Sequence, residues 1–296
     1  MRDARDSSSN VNDGRQPALP PVLEAVRPSP RARPRRVAPA VLALAAGLIV
    51  GVYASTGRCS PIIDQGRQVF QKYSHAVVTV EIAVKTTFME GGQNSPGREM
   101  RRDLTGTVID PSGLTVLSLS ELDPMSMYRR FMPVDARFKM NTQISDVKLL
   151  LSDDTELPAE VVLRDQDLDL AFIRPKTKPA KPLTAVDLHD AGTAQLLDEV
   201  IAINRLGRAV DRAYSAAIEH IAAVVHQPRL FYVPDSTMTA TGMGSPVFLP
   251  TGKLLGVVVM RVIGGRNGSM SEIIVPAKDI LKGAQQVPQA GGTVKP

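Results

Sequence analysis

Short stretches of alternating apolar and polar residues fill the sequence from about residue 66 onward, and they constrain the fold more than any other feature. The first, residues 76–85, places Val78, Val80 and Ile82 at every second position. A period of two residues is typical of a β-strand with one buried face. Similar stretches recur to about residue 275, separated by turn signals such as the Asp-Pro-Ser-Gly sequence at 110–113. The chain is therefore predicted to be all-β, a sandwich or a pair of barrels.

The alternating stretches fall into two sets. The first set ends near residue 174, a proline- and lysine-rich linker follows at 175–182, and the second set starts near residue 183. Helical patterns occur only at 66–73 and 277–286. Tryptophan is absent and aromatic residues make up 4% of the chain, so we expect a core of Val, Leu, Ile and Ala. The folded domain is predicted at 66–285, with one β-unit at about 66–174 and another at about 183–285.

The positive charge of the chain is concentrated at its N-terminus. Residues 1–36 contain eight arginines and four acidic residues, which accounts for four of the five net positive charges. This segment has few apolar side chains, and we predict a disordered cytoplasmic tail; residues 287–296 are predicted to be a second disordered end. Because the rest of the chain is nearly neutral, its composition gives no reason to expect nucleic-acid binding.

An uncharged apolar run occupies residues 37–54. As a helix it would span about 27 Å, close to the thickness of a bilayer core. The arginines before it predict a single-pass anchor with the folded domain on the non-cytoplasmic side, periplasmic or extracellular. A signal peptide cleaved after Ala54 is the alternative. The single cysteine, Cys59, excludes an internal disulfide.

Several local sequences of the β-rich part resemble one protease family. They recur in the order of that family and occupy residues 106–113, 164–171, 235–248, 252–257 and 274–276. On these segments the chain resembles the trypsin-like serine protease domain of the HtrA (Deg-type) family, without a downstream PDZ domain. The resemblance implies two packed six-stranded β-barrels, the chymotrypsin fold.

The same resemblance assigns positions to the catalytic machinery. Asp169 matches the aspartate that orients the catalytic histidine, Ser120 stands where that histidine is expected, and Met243 stands where the nucleophilic serine is expected. Thr241 replaces a glycine of the oxyanion hole, which Thr241 and Met243 would form. A serine hydroxyl is no base near neutral pH and a thioether has no proton to lose. The resemblance therefore implies a catalytically inactive homologue, a pseudoprotease.

Other residues offer weak substitutes for the missing groups. Ser245 is an alternative nucleophile, two positions after Met243. The four histidines, at positions 75, 189, 220 and 226, are scattered and lack metal-ligand spacing, so we interpret them as surface or structural residues and expect no metal and no cofactor. Residues 86–103 are predicted to form a loop, and residues 124–145 a methionine-rich insertion beside the site.

Three functions remain open at this stage. The first is an inactive, membrane-tethered homologue that binds extended peptide or unfolded protein segments by adding a strand to a sheet edge. The second is an active endopeptidase that uses Ser245, and the third is a structural envelope protein. The sequence leaves an oligomer possible and does not name the partner.

Overall fold

The computed structural model describes residues 60–90, 93–123, 138–235, 242–263 and 269–289. The predicted tail, the apolar run at 37–54, Thr241 and most of the predicted C-terminal end lie outside these ranges. None of the helices within the ranges combines the length and the apolar character that crossing a bilayer requires.

Six strands form the first closed barrel, and all of its neighbouring strands are antiparallel. Around the barrel the order is β1-β2-β3-β6-β5-β4. The strands are β1 (Val77–Glu90), β2 (Gln93–Val108), β3 (Thr115–Ser118), β4 (Phe138–Leu150), β5 (Glu156–Asp165) and β6 (Leu170–Pro175).

Six more strands form the second closed barrel, again antiparallel, in the order β10-β11-β12-β9-β8-β7. They are β7 (Glu199–Arg205), β8 (Tyr214–Val225), β9 (Phe231–Pro234), β10 (Pro246–Phe248), β11 (Leu254–Ile263) and β12 (Ser269–Pro276). The prediction of an all-β fold with two six-stranded barrels is confirmed.

Within the described ranges, three α-helices accompany the barrels: α1 (Pro61–Tyr73), α2 (Leu119–Leu122) and α3 (Ala277–Ala284). The buried positions of α1 include Ile62, Val69 and Tyr73, which share one face because they are spaced by whole helical turns. Tyr73 stacks on Phe248 of β10 with ring centroids 4.6 Å apart. The first helix thereby packs onto the second barrel.

Residues 86–90 and 93–103 are strand rather than loop, so the expectation of a loop at 86–103 is wrong. They belong to a long hairpin in which β1 pairs with β2 from Val77↔Thr107 to Glu90↔Gln93. Backbone groups make such a ladder, so a polar sequence without strict alternation can still pair. The last part of the predicted insertion is also a strand, because Phe138 pairs with Glu90 in the β1–β4 ladder; residues 124–137 lie outside the described ranges.

Three apolar clusters hold the structure together. One fills the first barrel, one fills the second barrel around Ile221, Tyr232 and Ile274, and the largest joins residues of both barrels. That largest cluster includes Phe172 of β6 and Ile201 of β7. The barrels are therefore packed through a continuous apolar interface, and side chains of both can meet in one site.

Candidate functional site

The Asp169 carboxylate is the centre of the site. Asp169 lies in the turn before β6 with φ +56°, a left-handed conformation that aspartate tolerates better than most residues. Its Oδ2 accepts hydrogen bonds from Ser118 Oγ (2.5 Å) and from the backbone N–H of Met260 (3.2 Å). Its Oδ1 accepts from Ser120 Oγ (2.5 Å) and from the backbone N–H of Ser120 (2.9 Å). Met260 lies in β11, so the carboxylate links the two barrels.

These four donors fill the hydrogen-bonding capacity of the carboxylate, because each oxygen accepts two bonds. Burial raises the pKa of Asp169, while the hydroxyls of Ser118 and Ser120 and the Met260 N–H oppose that rise. Desolvation outweighs these hydrogen bonds, so the pKa of Asp169 is higher than its ordinary value. The group is thus a satisfied but desolvated carboxylate.

Ser120 and Ser118 both face this carboxylate. Ser120 is buried in α2 and donates its hydroxyl to Asp169. Ser118 ends β3 and is fully buried. The sequence interpretation missed Ser118; the available signal was its spacing of two residues from Ser120. The two hydroxyls together occupy the side of Asp169 that faces the first barrel.

Met243 completes the group of residues that the sequence placed in the site. Its Sδ lies 3.9 Å from Ser118 Oγ. Asp169, Ser120 and Met243 come from three separate parts of the chain. The fold brings them together, because Ser118 contacts both Asp169 and Met243, and Asp169 also accepts a hydrogen bond from Ser120. Thr241, the remaining predicted position, lies outside the described residues.

Gly244 anchors the segment after Met243 to the first barrel. It has φ +91°, and a Cβ atom there would lie 2.1 Å from the backbone oxygen of Thr105. The Thr107 hydroxyl donates to the Gly244 oxygen at 2.7 Å, and the Gly244 N–H donates to Val258 O at 2.7 Å. Only glycine fits this close backbone approach.

Ser245, the alternative nucleophile, is fully buried, and its Oγ has no hydrogen-bond partner among the described residues. The histidines lie elsewhere: His75 pairs with Ser152 at 2.7 Å, and His220 pairs with Asp235 at 3.1 Å. The other two are on the surface. No histidine is hydrogen-bonded to Ser245 or to Asp169 in the part of the chain that the structure describes.

Among the described residues, the second half of strand β11 has an uncovered edge beside the site, because β10 pairs only with its first half. Val258 exchanges backbone hydrogen bonds with Gly244 and Ser245 at this edge. Backbone N–H and C=O groups alternate in direction along a strand, so those of Met260 and Val262 point to the same edge of β11 as those of Val258. The described strands pair residues 259–263 with β12 alone, and the Met260 N–H donates to Asp169.

A second carboxylate, that of Glu121 in α2, interacts electrostatically with Asp169. Burial raises the pKa of Glu121, the Arg102 guanidinium lowers it, and Asp169 raises it further. The nearest Arg102 nitrogen is 3.9 Å from Glu121 Oε1. Within the ranges that the structure describes, no three His, Cys, Asp or Glu side chains are arranged to hold a metal ion.

Comparisons with known proteins identify a family for this chain. The family model of the trypsin-like peptidase domain matches residues 104–257. The magnetosome formation protease MamE of Paramagnetospirillum magneticum is 33% identical over 109 residues, which cover 35% of this chain and 14% of MamE.

A solved structure, the MamO protease domain from Magnetospirillum magneticum in its apo form, aligns with 72% of this chain and 97% of that domain. Its sequence identity is 17% and its TM-score 0.46.

Proposed function

Because the chain belongs to the trypsin-like peptidase family, we propose that it is a catalytically inactive member that binds extended peptide or unfolded protein segments. The observation that carries the proposal is the pairing of Asp169 with two serine hydroxyls, Ser118 and Ser120. In an active triad, the aspartate orients an imidazole that takes the proton of the nucleophile. Here the Asp169 oxygens accept hydrogen bonds from hydroxyls and backbone N–H groups instead.

The chemistry of the neighbouring positions supports the same proposal. A serine hydroxyl does not titrate near neutral pH, so Ser120 has no means of activating a nucleophile. The Met243 thioether has no proton to lose and forms no acyl intermediate. Ser245 has a hydroxyl but is fully enclosed, which leaves no path for a peptide carbonyl to reach it.

Binding needs none of these groups. An extended peptide can pair with the uncovered edge of β11 through the Met260 carbonyl and the backbone groups of Val262, as a strand added to a sheet does. Main-chain hydrogen bonds supply affinity in this mode, and side-chain pockets supply selectivity. The intact second barrel holds that edge in place.

We also propose that the domain is tethered. The apolar run at 37–54, preceded by arginines, would anchor the chain in a membrane with the barrels on the non-cytoplasmic side. A tether suits a binding module, because it raises the local concentration of the module at the membrane surface.

The test uses the full chain, purified in detergent, with a fluorophosphonate probe and unfolded casein. We expect neither labelling nor cleavage, together with saturable binding of unfolded casein. Ser245→Ala is the matched variant and should behave like the parent protein. Labelling or cleavage that disappears in Ser245→Ala would contradict the proposal and identify an active endopeptidase; an absence of saturable binding would favour a purely structural role.

A further inference from the structure

The turn at residues 195–198, just before β7, exposes two adjacent leucines to solvent. Leu196 is 59% exposed and Leu197 is 72% exposed, more than any other large apolar side chain that the structure describes. A single exposed apolar residue is ordinary on a protein surface, whereas adjacent ones form an apolar patch that is typical of an interaction surface. The packing of the barrel gives no reason for leucine at either position.

Hydrogen bonds hold this turn in one conformation. The Asp198 N–H donates to the Gln195 oxygen (3.2 Å), and the Gln195 N–H donates to Asp198 Oδ2 (2.7 Å). The Leu197 N–H donates to the Ile221 oxygen (2.9 Å), and the Ile221 N–H donates to the Asp198 oxygen (3.0 Å). Because Ile221 belongs to β8, the turn is fixed to the second barrel, and both leucines are held at defined positions.

Leu197 also adopts a backbone conformation that leucine disfavours. Its φ is +69°. A β-turn that requires a positive φ at its third residue ordinarily has Gly or Asn there, because a Cβ atom crowds the backbone. Burial of the side chain does not offset this strain, since the side chain is exposed. Backbone strain of this kind occurs at functional sites, so we look for a partner that covers the leucine.

Exposed apolar surface continues beside the turn. Ile63 of α1 and Ile218 of β8 are exposed and line one cleft together with Ile201 of β7. Ile201 is paired with Ile218 and lies four residues after Leu197, which is about 13 Å along a strand. We call the four exposed residues of this surface the apolar rim: Ile63, Leu196, Leu197 and Ile218.

A charged pair separates the two parts of the apolar rim. Glu199 of β7 and His220 of β8 are cross-strand partners between the turn and the Ile201–Ile218 pair, and His220 is hydrogen-bonded to Asp235. An apolar protein interface would have to desolvate these groups at a cost. The headgroup layer of a bilayer instead contains water and charges of both signs, while apolar side chains enter the layer beneath it. The pattern therefore favours a lipid surface.

The position of the apolar rim in the chain favours the same partner. The apolar run at 37–54, which we propose as the tether, ends six residues before Ser60, and α1 with Ile63 begins at Pro61. Six residues span at most about 20 Å. A chain anchored through residues 37–54 would thus keep the start of α1 within that distance of the bilayer.

Building on the proposed tether, we infer that the apolar rim lies in the interfacial layer of the bilayer that anchors the chain, with Leu196 and Leu197 inserted beneath the headgroups. The contact is made by apolar side chains, and the neighbouring Glu199 and Asp235 bring no positive charge, so it needs no anionic lipid. This contact would determine which end of the second barrel faces the membrane.

The experiment measures contact with lipid at single positions. Cys59→Ser removes the single native cysteine, so that one introduced cysteine takes a nitrobenzoxadiazole label in the full chain, reconstituted in phosphatidylcholine liposomes with a doxyl-labelled lipid. Labels at Leu196→Cys and Ile218→Cys should be quenched by the doxyl lipid and emit at shorter wavelength. Adding phosphatidylglycerol should leave the quenching unchanged.

Val210→Cys is the matched control for these labels. Val210 is also an exposed apolar residue (54%), and it lies in the connection at the opposite end of the β7–β8 ladder. A label there should be neither quenched nor shifted. Equal quenching at positions 196 and 210, or quenching at neither, would overturn the inference.

A double variant separates membrane contact from a structural role. Leu196→Ser combined with Leu197→Gly should remove most of the quenching of a label at Ile218→Cys, whereas Val210→Ser should preserve it. Glycine accepts a positive φ, so urea unfolding in detergent should show the double variant to be at least as stable as the parent protein. A clear loss of stability would assign the leucines to the fold itself and overturn the inference.

The remaining outcomes distinguish this inference from the proposals on which it rests. If the full chain fails to float with the liposomes after an alkaline wash, the tether is wrong and the inference fails with it. If the chain floats and a label at position 196 is shielded from iodide without being quenched by the doxyl lipid, a second copy of the chain covers the turn, and the inference alone is overturned. Binding of unfolded casein is measured separately and depends on none of these results.

Discussion

Asp169 is a half-buried carboxylate that accepts a hydrogen bond from Met260, and Glu272 is a buried one on the strand residue paired with Met260; their hydrogen bonding differs. Asp169 accepts four hydrogen bonds. The Oε2 atom of Glu272 is enclosed without a hydrogen-bond partner among the described residues, and the charges of Glu219 and Glu121 add to the rise of its pKa. Burial raises the pKa of both groups. The first carboxylate links the two barrels through its hydrogen bonds, and the second is desolvated without matching donors among the described residues.

This difference predicts opposite effects when each charge is removed. A carboxylate that satisfies buried donors stabilises the fold, since its loss leaves those donors without a partner. A carboxylate without a partner destabilises the fold whenever it is ionised.

Removal of the satisfied carboxylate should have the largest effect. Asp169→Ala leaves the hydroxyls of Ser118 and Ser120 and the Met260 N–H without their acceptor, and we expect the free energy of unfolding to fall by about 4 kcal/mol. Urea denaturation of the full chain in detergent measures the change. Asp154→Ala is the matched control, because Asp154 also has a positive φ but is exposed. Equal losses in the two variants would mean that backbone strain, rather than hydrogen bonding, causes the effect.

Removal of the charge from Glu272 should raise the free energy of unfolding, whereas removal of Asp169 lowers it. Its pKa is about 7 in the folded state against 4.5 ordinarily, so ionisation destabilises the fold as pH rises from about 4.5 through 7. Glu272→Gln should therefore stabilise the protein at pH 8 by up to roughly 3 kcal/mol. At pH 4, where the carboxyl is protonated in both states, the variant should match the parent.

Thermal or urea unfolding at pH 4, 6 and 8 measures this trend. Glu160→Gln, which changes an exposed glutamate, should leave the pH profile unchanged. A parent protein that gains stability between pH 6 and pH 8, with Glu272→Gln less stable at pH 8, would show that Glu272 already has a cationic partner in the free protein.

The two serine hydroxyls should contribute the smallest effects. Ser118→Ala and Ser120→Ala each remove one bond to Asp169 but leave three others, so we expect each to lower the free energy of unfolding by about 1 kcal/mol. Like the parent protein, neither variant should be labelled by a fluorophosphonate probe. Lost labelling in Ser120→Ala alone would instead assign that residue a chemical role.

The sequence determined much of the framework. Alternation of period two marked the strands that line the barrels, because a strand with one buried face must alternate. Local resemblance placed Asp169, Ser120 and Met243 at equivalent positions of one site, and the structure finds these residues connected through Ser118. Such signals are local, so they can be read along the chain without knowing what each strand packs against.

The tertiary structure alone decided which groups meet. The hairpin at 86–103 pairs through backbone atoms, which leave no mark in side-chain polarity. The Met260 N–H reaches Asp169 across the two barrels, and the Oε2 atom of Glu272 is enclosed without a hydrogen-bond partner among the described residues. These contacts join residues far apart in the chain, so their hydrogen bonding and burial are properties of the packed barrels rather than of any segment read by itself.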